Sequence, residues 1–341
     1  MSLNLDFFKR KTNIKAKVLA HSINIHGVEM VTLEIEYPRY ILAELNTHKG
    51  LEKNSSSSRA IPFNAMIGNI QENMAMPLYW GKNISGMQAK EELDHETVDL
   101  AKKAWEEAYG SVLDHAFWLN DHAKLHKQTI NRLTEPFQMM KTVITGTDWD
   151  NFFNLRIHPD AQPEFCMLAY KILMAIKESR KNKNAIYLQK GEWHLPYVSR
   201  YRVQTGRGKG QLEYYLGEIN TDTYQVLSLE DAIKISASCT AQTSYRKNDE
   251  TLEKAEKVFN MLIGADVLHA SPFGHLGTPI EQYEERNHSF DPETWDVGIT
   301  HVNRKGQLCS ANLRTYIQYR HLIENNTCWD FNFEERMKLF T

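Results

Sequence analysis

Residues 28–37, VEMVTLEIEY, alternate: Val31, Leu33, Ile35 and Tyr37 fall on one side, Thr32, Glu34 and Glu36 on the other. A period of two is what a pleated strand imposes on its side chains, so this stretch reads as a strand with one apolar face. The His26-Gly27 pair before it reads as the turn from a partner strand over residues 16–25. After Pro38 the pattern changes, and RYILAELNTH suits a helix that carries His48 to the edge of a serine run. Residues 97–133 read as predominantly helical, with Leu100, Ala101, Ala104, Trp105, Ala108 and Val112 as the inward face. A further helix begins near Pro163, a residue suited to a first helical position, and carries Phe165, Leu168, Ala169, Ile172 and Ile176 on one face. Leu252, Ala255, Phe259, Leu262 and Ile263 mark another. Helices and strands mix without a regular βαβ alternation, which predicts an α+β fold.

The polar stretch KESRKNKN is the best boundary between two parts, 1–182 and 183–341. The second part opens on aromatic and β-branched residues that suggest strands around a Gly-rich loop, TGRGKG, over residues 205–210. That loop lacks both the P-loop spacing and the dinucleotide fingerprint, and reads as a mobile surface loop. A formal charge of −3 gives no overall field for nucleic acid or an anionic membrane, so any anion recognition must be local and the partners small molecules. No apolar run reaches spanning length, and the first residues lack the features of a secretory signal, which predicts a cytoplasmic protein. Four widely spaced cysteines, Cys166, Cys239, Cys309 and Cys328, suggest neither a zinc site nor a disulfide framework.

The chemistry is concentrated in four segments of the first part, THKGLEKNSSSSR, NRLTEPF, NFFNLR and HPDAQPEF, each placing Arg, His, Ser or Asn beside a helix end or tight turn. Four consecutive serines read either as a flexible linker or as the wall of an anion pocket. Arginine grips phosphate with its planar fork, and hydroxyls with loop N–H groups complete the donor set. Each residue also has a structural reading. His48 could bond the last carbonyls of a helix, Arg132 and Arg156 could pair with Glu135 or Asp160, and Asn151 could be a cap. His115, His122 and His126 stand at helical spacing without an H-E-x-x-H pattern, and no metal site is expected.

Order and spacing resemble the flavin-dependent thymidylate synthases, in particular their longer phage-type variants. The family's R-H-R, followed after seven residues by S-x-R, corresponds to Thr47-His48-Lys49 and Ser57-Ser58-Arg59. Its L-R followed after four residues by A-Q-x-E corresponds to Leu155-Arg156 and Ala161-Gln162-Pro163-Glu164, and Arg132 in NRLTEP matches a third element between them. In the second part, CTAQTSYRKND and LHASPFGH resemble the A-R-x-S-Y and H-x-S-P-F-E-H elements that ordinary members carry before R-H-R, so the motif order looks rearranged. Thr47 and Lys49 stand where the family has arginines, and Gly274 where it has a glutamate.

The resemblance implies reductive methylation of dUMP to dTMP, with FAD as cofactor and methylenetetrahydrofolate and NADPH as co-substrates. It implies Ser57, Arg59, Arg132 and Arg156 as dUMP ligands, with Arg156 the catalytic cation at the uracil ring. It implies His48, Lys49, Asn54, Asn151, Ser244 and His275 as cofactor contacts, and a homo-oligomer, a tetramer, with sites between subunits. Two alternatives stay open: a related enzyme that hydroxymethylates or acts on dCMP, and a non-catalytic nucleotide-binding homologue.

Overall fold

The computed structural model describes residues 5–86, 88, 89, 91–204, 210–217, 224–245, 248–265, 267–281 and 291–340. The expected loop at 205–210 lies almost wholly outside them, with only Gly210 described.

The alternating stretch forms β2 (Glu29–Pro38), hairpinned to β1 (Lys15–Ile23) in the expected place. The turn is held by the Asn24 side chain, whose oxygen accepts from the backbone N–H of His26 and of Val28, both at 3.0 Å. Gly27 sits at φ +70°, where a glycine carries no Cβ penalty. With β3 (Glu52–Ser55), β4 (Met139–Gly146) and β5 (Ile186–Tyr187) the sheet runs β3-β4-β2-β1-β5. Only the β1–β5 pair is parallel.

Val31, Leu33, Ile35 and Tyr37 are fully buried on one face. They share a core with Phe165, Leu168, Ala169, Ile172 and Ile176, all from the helix that begins at Pro163. Helices α1 (Leu42–Asn46), α2 (Phe63–Glu72), α3 (His95–Asp121), α4 (Lys127–Leu133), α5 (Asp150–Arg156) and α6 (Pro163–Lys181) complete the first part. The other sheet face departs from the simple amphipathic reading, because Thr32 is as buried as Leu33. The second part of the chain covers that end of the face.

One expectation needs correction. In α3 Leu100 is 63% exposed and Ala104 and Ala108 face solvent, so the inward stripe is not the one read from the sequence. Trp105, Tyr109 and Val112 pack instead against Met66, Ile70 and Phe137, while Leu113, Ala116 and Leu119 pack against Phe63, Ile67 and Ile130. Both stripes satisfy a 3.6-residue period. The larger aromatic area wins, since apolar gain scales with the surface removed from water.

The second part carries an antiparallel sheet of β6 (Ser199–Val203), β7 (Gln211–Leu216) and β8 (Gln225–Leu227). Then come α7 (Leu229–Ala241), α8 (Leu252–Ile263), a 3-10 turn over Ser271–His275, and β9 (Gly277–Pro279), which pairs with Tyr316–Gln318. Leu195, Leu212, Ile235, Phe273 and Tyr316 belong to a core that Val28 and Met30 of the first hairpin also enter. Helices and mainly antiparallel sheets thus make an α+β fold, as the sequence predicts. No described helix is long and apolar enough to cross a membrane.

Candidate functional site

The segment from Thr47 to Arg59 is where the motif-bearing parts of the chain meet. It leaves α1 at a Thr47 hydroxyl bonded to the Glu44 carbonyl, 2.6 Å, and runs as β3 along the open edge of β4. Strand alternation divides its side chains between two surroundings. Lys53 and Ser55 point toward the first core, where the Lys53 ammonium bonds the carbonyls of His48 and Leu51 and Ser55 bonds the Thr142 hydroxyl. Glu52 and Asn54 point toward the second part. Asn54 Nδ2 donates to the Thr240 carbonyl at 2.6 Å, and Asn312 Nδ2 donates to Glu52 Oε2 at 3.0 Å.

The start of the segment is closed. Arg156, the last residue of α5, donates from Nε to His48 Nε2 at 2.7 Å and from Nη2 to Thr47 Oγ1 at 3.2 Å. Its guanidinium lies 4.5 Å from the Phe165 ring centroid, and the His48 ring meets Phe152 and Phe165 edge-on at 5.0 and 5.7 Å. Because Nε2 accepts, His48 is neutral with its proton on Nδ1. Burial, then the charges of Arg156 and Lys53, push its pKa down to about 4. Arg156 Nη1 has no hydrogen-bond partner among the described residues.

The far end is open. Every serine of the run is tied: Ser55 to Thr142; Ser56 to the Lys141 backbone; the Ser57 N–H to Ser244 Oγ at 3.0 Å; Ser58 Oγ to Glu135 at 3.0 Å. This is no linker. Glu135 also accepts from Arg132 at 3.3 Å and pairs with Arg39 at 3.1 Å. Arg59 is exposed and has no ion pair among the described residues. Lys49 and Asn151 are also exposed, and Asn151 lies in the first turn of α5.

Thus Arg59 and Arg132 flank Ser58 and Glu135 at one end of β3, whereas Arg156 stands at the other. The four residues of β3 alone span roughly 13 Å, and the three guanidinium groups share no partner among the described residues.

Two clefts lie nearby, the first lined in part by Ser56 of the segment and the second by none of its residues. One, of about 480 Å³, is lined by Lys15, Glu36, Ser56, Lys141 and Ser244 among others. The other, of about 580 Å³, is walled by Tyr40, Glu44, Tyr79, Trp105 and Asp160 to Glu164. The Tyr40 hydroxyl on this wall is buried without a partner. Glu44 acts electrostatically on Arg156. Here the A-Q-x-E residues have visible structural work. Gln162 Oε1 caps α6 by accepting from the Phe165 N–H at 3.2 Å, and buried Glu164 accepts from the Leu78 N–H and from Gln162. Burial raises the Glu164 pKa above the ordinary carboxylate value.

His275 is fully buried, bonded through Nδ1 to Thr145 Oγ1 at 2.8 Å, and its Nε2 has no partner among the described residues. Beside it Gly274 leaves room that is already used: a Cβ there would stand 2.7 Å from the Glu52 carboxylate. Sequence reading missed Glu52, Lys53, Thr145, His194 and Arg200 as neighbours of this place. Only Glu52 carried a signal, as an acid inside a basic motif.

Among the thiols, burial pushes Cys166 up to about 11 and raises Cys239 and Cys309, while Cys328 is exposed. Among the described residues no group of three or more His, Cys, Asp or Glu side chains is placed to hold a metal ion.

No family model and no curated protein matches the sequence. Among solved structures, the chain is similar to a UMP/dUMP methylase PolB from Streptomyces cacaoi bound with 5-Br UMP. Identity is 14%, the match covers 49% of this chain and 90% of that one, and the TM-score is 0.42. It is also similar to thymidylate synthase X from Helicobacter pylori with FAD and dUMP. There identity is 14%, coverage 46% and 71%, and the TM-score 0.31.

Proposed function

We propose that this chain is a flavoenzyme that modifies a pyrimidine nucleotide, methylating dUMP to dTMP with FAD, methylenetetrahydrofolate and NADPH. The observation that carries the reading is the gathering of distant motif residues on Thr47 to Arg59. Arg156 reaches His48, Thr240 reaches Asn54, Ser244 reaches Ser57, and Glu135, beside Arg132, reaches Ser58. Segments up to 187 residues apart in sequence converge on the stretch that resembles the family's nucleotide and flavin signature.

In this reading Arg156 is the catalytic cation. His48, Thr47 and the Phe165 face hold two of its nitrogens, leaving Nη1 for a uracil oxygen on which negative charge grows as C5 becomes nucleophilic. A cation fixed in advance needs no reorganisation at that moment. Ser57, Arg59 and Arg132 take the phosphate and sugar, with Arg132 turning from Glu135 to do so. The two ends of β3 lie roughly 13 Å apart and share no partner among the described residues. The reading therefore pairs the Arg156 end of one copy with the Ser57–Arg59 end of another, in a homo-oligomer, a tetramer.

Part of the donor set suits FAD: Ser56, Ser244, Lys15 and Lys141 would offer hydroxyls and cations to phosphates once the lysines turn from Glu36 and Glu34. His48, Lys49 and Asn54 belong to the same segment, and the turn that ends at His275 lies against it. When bound, the flavin would supply the hydride that completes the methyl group. No cysteine thiolate is required in this route, which agrees with thiols held protonated by burial at Cys166, Cys239 and Cys309. The Glu52 carboxylate against Gly274, where the family has glutamate, favours one second reading: the same nucleotide class with an altered one-carbon outcome, such as hydroxymethylation, or with dCMP as substrate.

The test is anaerobic incubation of purified protein with dUMP, methylenetetrahydrofolate, NADPH and FAD, with products read by mass spectrometry. dTMP supports the main reading, and a hydroxymethyl product or turnover of dCMP supports the second. A colourless protein that binds dUMP, takes up no FAD and gives no product would instead be a non-catalytic homologue.

A further inference from the structure

Six buried side chains form one continuous line of hydrogen bonds across the molecule. Arg200 on β6 donates from Nη1 to Ser22 Oγ at 2.8 Å, and Ser22 meets His194 Nδ1 at 2.7 Å. His194 Nε2 meets Thr32 Oγ1 at 2.8 Å, Thr32 meets Thr145 Oγ1 at 2.6 Å, and Thr145 meets His275 Nδ1 at 2.8 Å. Arg200 is only 6% exposed and has no carboxylate partner among the described residues. Burial lowers its pKa to about 10, so it stays charged at neutral pH.

The arginine can only donate, and satisfying the most protons beyond it favours one direction for the whole line. In that direction Ser22 accepts from Arg200 and passes its own proton to His194 Nδ1. His194 then carries its proton on Nε2 and gives it to Thr32, Thr32 gives to Thr145, and Thr145 gives to His275 Nδ1. His275 is left as a neutral imidazole with its proton on Nε2. Reversing the line would strand two groups, the Ser22 proton and a bare His275 Nε2, where the forward line strands only one. Burial holds both imidazoles neutral, with the pKa of His275 pushed down to about 3 and that of His194 lowered well below the ordinary value.

What remains is a buried N–H donor with nothing to bond. Burying such a donor unpaired costs free energy, and a chain of polarised bonds running from a buried cation strengthens it further. Charged neighbours at this place include Lys53, whose field reaches His275, and Glu52, whose carboxylate lies against Gly274 and pairs with Arg320 at 4.0 Å.

We propose that Arg200 is a positioning residue. Through Ser22, His194, Thr32 and Thr145 it sets the tautomer of His275, so that Nε2–H is presented to an oxygen of a ligand bound where β3 meets the Ser271–His275 turn. The proposal deepens the reading above and rests on it only for the identity of that ligand. The tautomer is measured on ligand-free protein, so an error in the line and an error in the function fail in different experiments.

Protein labelled with 15N in its imidazoles gives the tautomers from long-range 1H–15N correlations. His194 and His275 are both expected with protonated Nε2 and bare Nδ1. Arg200→Lys, which still donates, keeps this pattern, while Arg200→Met shifts His275 toward the Nδ1–H tautomer. Should Arg200→Met fail to fold, Ser22→Ala cuts the same link with the guanidinium left in place, and the same shift is expected. Thr145→Val releases His275 alone and leaves His194 unchanged. A wild-type His275 protonated on Nδ1, or a His275 tautomer indifferent to Arg200→Met or Ser22→Ala, overturns the proposal. FAD and dUMP, added singly and together, are the ligand probes. A downfield move of the His275 Nε2–H resonance supports the donor role, and no move with any of them overturns it.

Discussion

The two ends of the Thr47–Arg59 segment are built differently. At the start, His48 and Arg156 are locked against each other between aromatic rings, with Arg156 bonded twice and the imidazole held neutral. At the end, Arg59 and Arg132 are exposed, Arg132 bonded only to Glu135 and Arg59 without an ion pair among the described residues, while the serines are tied down. A charge that must act in a transition state gains from being fixed beforehand, whereas a charge that captures a phosphate can wait in solvent at little cost. On the proposed reading, the difference suits the closed end to chemistry and the open one to capture.

The largest test strikes the closed end. Arg156→Met is expected to lower turnover about 10²- to 10³-fold, the range for removing one preorganised donor. In the same variant the His48 pKa rises from about 4 toward 6.5, read by NMR titration, because one of the charges depressing it is gone. Arg156→Lys should not restore turnover, since a lysine cannot bond His48 and Thr47 while leaving a third nitrogen free. If turnover were untouched, the closed end would be a structural clasp.

Arg59→Ala probes the open end. Loss of one charge-assisted hydrogen bond, about 1.5–3 kcal/mol, predicts dUMP affinity weakened by roughly 10- to 100-fold in calorimetry. The melting temperature should stay unmoved, as expected for an exposed side chain. A fall in stability with unchanged affinity would remove Arg59 from the site.

Acid separates the two ends as well. The folded pKa of His48 lies below its ordinary value of 6.5, so the unfolded chain binds the proton first as pH falls. Stability held through neutral His48 is therefore whole above pH 6.5 and is lost as pH drops toward about 4. Denaturant titrations of His48→Gln should show a flatter pH dependence across that window, and an unchanged slope would mean that His48 is not the group titrating. The smallest effect is Arg132→Ala. Its pair with Glu135 is exposed on the arginine side, which predicts a stability change of about 0–1 kcal/mol, and the Arg39–Glu135 pair should persist. A larger loss would make the open end as rigid as the closed one.

Much of this was legible beforehand at the level of elements. The alternation over Val31 to Tyr37 and the apolar face of Phe165 to Ile176 became a strand and a helix of one core. The serine run was legible only as a choice between linker and wall, because its anchors, Thr142, Ser244 and Glu135, lie 77 to 187 residues away. The inward face of α3 was misread because two stripes shared one period and only the neighbours, α2 and α4, could choose between them. Arg200 and His194 gave no signal at all.

The sequence by itself determined where strands and helices run and which residues could bear charge chemistry, because periodicity and side-chain type are local properties. The tertiary structure alone decided that Arg156 would rest on His48, that Thr32 would be buried, and that Arg200 would lie buried at the head of a line ending at His275. Burial and partner choice depend on which distant surfaces exclude water together, and no local pattern encodes that.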